Sequence, residues 1–299
     1  MPSAALPPTP VLRFAPSPNG ELHLGHAYSA LRNARAAAAL GGRLLLRIED
    51  LDRTRCKPQY EAPILHDLAW LGLHFQGEPR RQSEHLDDYS NALARLDARG
   101  LVYPCFCSRA SVAHGSVARD PDGAPLYSGA CRALPRGESA RRLARGDKAA
   151  LRLNMGRALE STPSWIAWQE FGEGSDPIER VAEPAAWGDI VLAGRDLAAS
   201  YHLAVTIDDA LQGVTDVVRG RDLLSATSVH RLLQELLALP APRYRHHRLV
   251  LDADGAKLSK RHGSPALFAL RMKGVSAAEV RAALGFGGED GGGLCVAFS

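Results

Sequence analysis

Short apolar runs alternate with longer amphipathic stretches from the start of the chain. Val11-Leu12-Arg13-Phe14-Ala15 reads as a strand stopped by Pro16. Ala27 to Leu40 is rich in Ala and Leu and ends at Gly41-Gly42, a helix with its stop signal. Arg43-Leu44-Leu45-Leu46-Arg47-Ile48 reads as a second, buried strand, and 58–71 as an amphipathic helix. Strand–helix–strand–helix alternation predicts a parallel sheet with crossover helices. The rhythm breaks over 83–186, a stretch rich in Gly, Pro and Arg, and resumes afterwards. Strands are predicted at 202–207, 214–219 and 247–251, and a helix at 223–237. No repeat or coiled-coil period is visible.

The predicted fold class is α/β: a Rossmann-like, doubly wound parallel sheet split by an insertion, with a short helical C-terminal segment. Residues 1–10 read as a disordered leader. Residues 11–82 and 187–250 form the two halves of a nucleotide-binding domain, and 83–186 the insertion between them. Residues 251–299 hold a basic loop and a short helical end, with a Gly-rich tail from Gly285 expected to be poorly ordered.

Composition narrows the classes. At 45% hydrophobic and 23% charged, the chain is an ordinary globular one. No apolar run is long enough to span a membrane, and the start lacks the layout of a signal peptide. Five unevenly spaced cysteines do not suggest a disulfide framework. A cytoplasmic location is expected, and nothing in the sequence asks for more than a monomer. A net charge of +3 requires any nucleic-acid surface to be local. Arg132, Arg136, Arg141, Arg142 and Arg145 make one candidate patch, equally readable as a solvated face.

Two motifs carry chemistry. His23-Leu24-Gly25-His26 sits at a helix start, where unpaired N–H groups and the macrodipole favour phosphate. Gly25 allows a nucleotide close to the backbone, and His23 and His26 are placed to donate to phosphate oxygens. Lys257-Leu258-Ser259-Lys260-Arg261 is a basic loop after a strand, suited to closing over a triphosphate. Each alone is weak, since surface histidines and Lys/Arg runs are common. Together, in this order, they point to ATP with Mg²⁺ and to attack on the α-phosphorus.

Cys105, Cys107 and Cys131 fall within one short stretch and suggest a structural zinc site needing a fourth ligand. Spacing alone leaves His114, Asp120 and Asp122 open for that place.

With these residues in view, the chain resembles the class I aminoacyl-tRNA synthetases, and within them the glutamyl branch. The segments that carry the likeness are Arg13 to Gly20, Arg47-Ile48-Glu49-Asp50-Leu51-Asp52-Arg53, Tyr201 to Val205 with Asp208-Asp209, and Val217-Val218-Arg219-Gly220. It extends from about Val11 to about Leu270. A glutamyl-tRNA synthetase continues far beyond its basic loop into an anticodon-binding domain, whereas this chain ends at Ser299. It therefore resembles the shortened glutamyl-queuosine tRNA(Asp) synthetases.

That resemblance implies tRNA-independent activation of L-glutamate with ATP, then transfer to the queuosine base in the anticodon of tRNA(Asp). It implies glutamate contacts at Arg13, Phe14, Ala15, Pro16, Ser17, Glu49, Tyr201 and Arg219. His23, Gly25, His26 and Lys260 would meet ATP, with His23, His26, Lys257 and Lys260 assisting catalysis. It names Tyr127 as the fourth zinc ligand. The basic loop departs from the family's commonest form at Leu258 and Arg261. Three alternatives are a truncated synthetase charging a tRNA 3′ end, another nucleotidyltransferase with a His-x-Gly-His site, and an inactive tRNA-binding paralogue.

Overall fold

The computed structural model describes residues 9–135, 137–172, 176–251 and 265–287. The predicted strands at 11 and 43 form as β1 (Val11–Phe14) and β2 (Arg43–Ile48), paired in parallel in the register Val11 with Arg43. The short β3 (Arg80–Arg81) adds to β2, also in parallel. The crossover between β1 and β2 is α1 (Leu24–Ala39), and that between β2 and β3 contains α2 (Glu61–Trp70). Crossovers of this kind place helices on the faces of a parallel sheet.

After α3 (Leu86–Ala98), β4 (Val102–Cys105), β5 (Ala150–Leu153) and β8 (Val191–Ala193) build a separate antiparallel sheet in the order β4-β5-β8. The short helices α4 (Arg109–His114), α5 (Glu138–Ala144) and α6 (Met155–Glu160) lie between these strands in sequence. A four-stranded sheet follows in the order β7-β6-β10-β9. Its members are β6 (Ala167–Glu170), β7 (Ile178–Val181), β9 (Asp216–Gly220) and β10 (Arg243–His247). β10 is parallel to both β6 and β9, while β6 and β7 pair antiparallel. Thr215 N donates to Val11 O at 2.9 Å, bringing β9 alongside β1. Thus β6 and β7 join the nucleotide-type sheet although they lie within 83–186.

The remaining helices are α7 (Tyr201–Leu211), α8 (Thr227–Leu237), α9 (Leu267–Met272) and α10 (Ala277–Ala283). The largest core cluster joins α3, α7 and α8 through Tyr89, Leu96, Leu203, Ile207, Leu232 and Leu233. A second packs α1, α2, α9 and α10 around Leu31, Leu68, Leu267 and Val280.

Three expectations change. Residues 202–207 form a helix, not a strand. Residues 203–207 are all buried because α7 packs between α3 and α8, and a short buried helix has no readable period. Ser200 caps it, accepting from Leu203 N. The final strand lies at 243–247, where the polar sequence Arg-Tyr-Arg-His-His pairs residue for residue with β9. Finally, α1 begins at Leu24 rather than Ala27, with His23 as its N-cap, so His-x-Gly-His lies at the helix start as expected. Residues 1–8 of the leader, Arg136, the basic loop with Lys257 and Lys260, and the tail with Cys295 lie outside the described residues. Among the described residues, no helix is long and apolar enough to cross a membrane.

Candidate active site

The carboxyl ends of β1, β2 and β9 open on a cleft of about 240 Å³, the usual ligand position in an open parallel sheet. All eight residues expected to meet glutamate line it: Arg13 to Ser17 from β1 and its loop, Glu49 from the end of β2, Tyr201 from α7 and Arg219 from β9. His26 enters from α1. Asn33 fastens that helix to β9, donating from Nδ2 to Val218 O at 3.0 Å.

Charged residues buried side by side form the floor. Asp209 accepts from Arg13 Nε at 2.9 Å and from Arg47 NH1 at 2.8 Å. Arg47 is fully buried, and its Nε lies 3.5 Å from Glu49 and 3.9 Å from Asp208. Asp208 in turn accepts from Arg80 Nε, Gln82 Nε2 and Tyr89 OH. Burial pushes Asp209 upward, but Arg13 and Arg47 outweigh it and hold its carboxyl below the usual range. At Glu49 burial wins: its carboxyl is held above the usual range despite Arg47 and Arg13.

Arg219 is held by neutral acceptors. Its Nε donates to His246 Nε2 at 3.0 Å, and its NH1 to His230 Nδ1 at 3.1 Å. Its NH2 donates to Leu223 O and to Thr227 Oγ1. Because a guanidinium only donates, these contacts fix the imidazole tautomers. His246 carries its proton on Nδ1 and donates to Glu170 Oε2 at 2.8 Å; His230 carries its own on Nε2 and donates to His202 Nδ1 at 3.2 Å. These bonds use four of the five Arg219 N–H groups.

Burial, with Arg219 adding to it, pushes His202 down to about 4 and His230 well below its ordinary value. His246 is also lowered by burial and Arg219, although Glu170 pulls the other way. An unfolded histidine titrates near 6.5. Between that value and the lowered folded values the unfolded chain binds more protons, so stability is full above about pH 6.5 and falls on acidification. Each histidine contributes a slope of up to about 1.4 kcal/mol per pH unit. The expected result is a urea midpoint that falls steeply from pH 6.5 toward 4, with His246→Gln flattening part of the slope. An acid limb unchanged by that substitution would refute the assignment.

At the start of α1, His23 is the N-cap. Its Nδ1 accepts from Gly25 N at 3.1 Å, while His26 Nδ1 accepts from His23 N at 3.2 Å. Acceptance at Nδ1 leaves the proton of each neutral ring on Nε2. The rings lie 3.8 Å apart, centroid to centroid. A Cβ at Gly25 would fall 2.9 Å from His23 Cε1, so glycine here also makes room for the capping imidazole. An isolated antiparallel bridge joins His23 to Ala266, and Leu267 N donates to Leu22 O at 2.8 Å.

Away from the cleft, the Sγ atoms of Cys105, Cys107 and Cys131 lie within 4.8 Å of one another. Cys107 Sγ is 3.5 Å from Cys131 Sγ and 3.8 Å from Tyr127 OH. Three thiolates around one zinc stand about 3.8 Å apart, given Zn–S near 2.3 Å and tetrahedral angles. The donor set therefore fits a metal, with the Tyr127 oxygen at its side. Burial pushes the Cys131 thiol up, but hydrogen bonds from Tyr127 and Phe106 N–H bring it below its ordinary value. Burial and the neighbouring thiols hold the Tyr127 phenol above its own.

Residues 11–279 match the family model for the catalytic domain of class I tRNA synthetases (E and Q). A "Glutamyl-Q tRNA(Asp) synthetase" from Rhodobacter capsulatus is 46% identical over 287 residues, covering 92% of this chain and 99% of the relative. The chain belongs to the glutamyl-Q tRNA(Asp) synthetase family. A second relative of that name, from Symbiobacterium thermophilum, is 42% identical, covering 88% of this chain and 82% of its own. The solved glutamate tRNA ligase from Elizabethkingia meningosepticum, in complex with its amino acid, superposes with a TM-score of 0.70 at 30% identity. That alignment covers 86% of this chain and 54% of the ligase, so the chain spans about half of the solved enzyme's length. Family membership establishes a class I synthetase-like α/β fold and an enzyme of the aminoacyl-tRNA synthetase type.

For this member of the family, sequence reasoning missed the residues behind the cleft. His230 and His246 hold Arg219, and Glu170 holds His246, but none belongs to a local motif: Glu170 and His246 meet through the parallel pairing of β6 and β10, and His230 comes from α8. Arg47 and Asp209 were visible only as members of motifs, not as the charged floor.

Proposed function

We propose that this chain activates L-glutamate with ATP, without tRNA, and transfers the glutamyl group to queuosine in the anticodon of tRNA(Asp). The observation that carries this reading is the convergence of Arg13, Glu49, Tyr201 and Arg219 with His26 on one small cleft. Glutamate brings one ammonium and two carboxylates. Glu49, held protonated more readily than a free carboxyl, is the partner for the ammonium, whose arrival would draw its proton off. Arg13 and Arg219 are the cations for the carboxylates, with Arg219 offering its remaining N–H rather than a full fork. The Tyr201 hydroxyl closes the pocket.

In activation, a carboxylate oxygen of glutamate attacks the α-phosphorus, and the bond to pyrophosphate breaks. His23 and His26 donate from Nε2 to phosphate oxygens as negative charge builds there, beside Gly25. Lys257 and Lys260 take the same role by resemblance. Mg²⁺ bound with ATP supplies further charge neutralisation. In transfer, a cyclopentenediol hydroxyl of queuosine attacks the glutamyl carbonyl, and AMP leaves with the electron pair.

Cys105, Cys107, Tyr127 and Cys131 would hold one structural zinc, ordering the Gly- and Pro-rich insertion assigned to 83–186. Metal analysis should give one zinc per chain. Tyr127→Phe should keep the zinc but bind it about 10-fold or more weakly, and Cys131→Ser should lose it with a fall in melting temperature. Protein free of zinc yet unchanged in melting temperature would overturn the site.

Transfer of labelled glutamate to tRNA(Asp) with and without queuosine tests the function. Labelling of the queuosine form alone, surviving periodate treatment of the 3′ end, is expected. Labelling of tRNA(Glu) at its 3′ end would establish the truncated synthetase instead, and labelling of neither the inactive paralogue.

A further inference from the structure

A second cleft, of about 400 Å³, adjoins the first, and Val218 borders both. Arg32 and Arg35 reach it from α1, Arg245 from β10 and Arg248 from the residues just beyond. Its aromatic lining is Tyr28, Phe171 and Phe286, and no Asp or Glu is among the described residues that line it.

Four surface arginines of the 83–186 stretch are matched to acids. Arg132 pairs with Asp189, Arg141 with Glu138, and both Arg142 and Arg145 with Asp147. The candidate patch, which the sequence left equally readable as a solvated face, is thus largely neutralised at its described arginines by its own neighbours. In the cleft, by contrast, Arg245 Nε stands 4.0 Å from Asp216, a carboxylate that Arg243 already engages at 2.7 Å. The Arg245 guanidinium lies over the Phe171 ring at 4.6 Å, and that of Arg32 over Tyr28 at 5.9 Å. Burial, with Arg243 and Arg32 adding to it, outweighs the opposing pull of Asp216 and holds Arg245 below its ordinary value.

The spacing selects the anion. Arg35 follows His26 by nine residues on α1, about 13 Å along the axis at 1.5 Å per residue. A triphosphate resting on the first turn of α1 does not extend that far. A nucleic-acid strand does, since it carries a phosphate at every nucleotide.

We propose that this cleft binds the sugar–phosphate backbone of the tRNA, next to the nucleotide that receives glutamate in the adjoining site. The proposal rests on the reading of the protein as a tRNA-modifying enzyme. Arg35 and Arg248 are exposed, which makes them suitable probes. Binding of tRNA(Asp) to the full chain would be measured between 50 and 200 mM NaCl for wild type, Arg35→Glu/Arg248→Glu, Arg35→Gln/Arg248→Gln and Arg141→Glu/Arg142→Glu. (The salt range is roughly that over which phosphate contacts are read.) Both cleft variants should bind at least about 10-fold more weakly, and the slope of log Kd against log salt should fall by about 1–2, one phosphate contact per arginine. Glutamate-dependent ATP–pyrophosphate exchange and the KM for ATP should stay within about twofold of wild type, which also certifies folding. The Arg141/Arg142 variant should bind as wild type does.

Unchanged binding and slope in the cleft variants would overturn the proposal and leave the proposed function standing. A raised KM for ATP with intact tRNA binding would overturn it in favour of a nucleotide-phosphate site. An equal loss in the Arg141/Arg142 variant would reduce the effect to net charge and overturn it too. Wild type that binds tRNA(Asp) but exchanges no pyrophosphate with glutamate would defeat the functional reading and leave the cleft in place.

Discussion

Asp209→Ala is expected to lower the stability of the folded chain by about 3–5 kcal/mol, the range for breaking a buried ion pair from one side. The carboxylate is 5% exposed and serves two guanidiniums at once, Arg13 at 2.9 Å and the fully buried Arg47 at 2.8 Å. Removing it leaves both cations in a site they cannot leave without unravelling β1 or β2. Asp208 is no substitute. It stands 3.9 Å from Arg47 and is already occupied by Arg80, Gln82 and Tyr89. Asp209→Asn keeps an acceptor without the charge and should fall between wild type and Asp209→Ala. Urea unfolding at constant m reads the difference. A midpoint shift below that of an ordinary surface substitution would show that the floor is not held together by this carboxylate.

His26→Ala is expected to slow glutamate-dependent pyrophosphate exchange by about 10²–10³, the loss found when one preorganised donor to developing charge is removed. The same substitution removes a cap, because His26 Nδ1 accepts from His23 N, and that should cost about 1 kcal/mol of stability. Two conservative variants separate the roles. His26→Asn places an acceptor near the Nδ1 position and nothing at Nε2, so it should keep stability and lose rate. His26→Gln reaches the Nε2 position with an amide N–H and should recover part of the rate. Equal rates in the Asn and Gln variants would mean that His26 acts only as a cap.

The order β1, α1, β2, α2 was legible because each element there has a clear period and a clear stop, such as Pro16 and Gly41-Gly42. Residues 202–207 were not, because a run buried on successive positions between α3 and α8 shows no helical period and mimics a buried strand. Nor was β10, whose Arg-Tyr-Arg-His-His carries too little apolar character to announce a strand. Its identity comes from pairing with β9. The lining of the cleft was legible only through resemblance to known motifs. No period or spacing in the chain connects Glu49, Tyr201 and Arg219. The supports behind Arg219 carried no signal at all, since Glu170 and His246 meet through strand pairing between residues far apart in sequence.

The imidazoles around Arg219 carry a consequence for substrate choice. Each group that accepts from this guanidinium (two neutral rings, a hydroxyl and a carbonyl) satisfies its hydrogen-bonding needs without cancelling its charge. None of the groups hydrogen-bonded to Arg219 brings it an opposite charge. If the cleft binds glutamate as proposed, its side-chain carboxylate would supply that opposite charge, whereas the isosteric amide of glutamine would offer only a dipole. On the proposed reading, discrimination between two amino acids of nearly identical shape would rest on the tautomers of His230 and His246, which lie behind the cation.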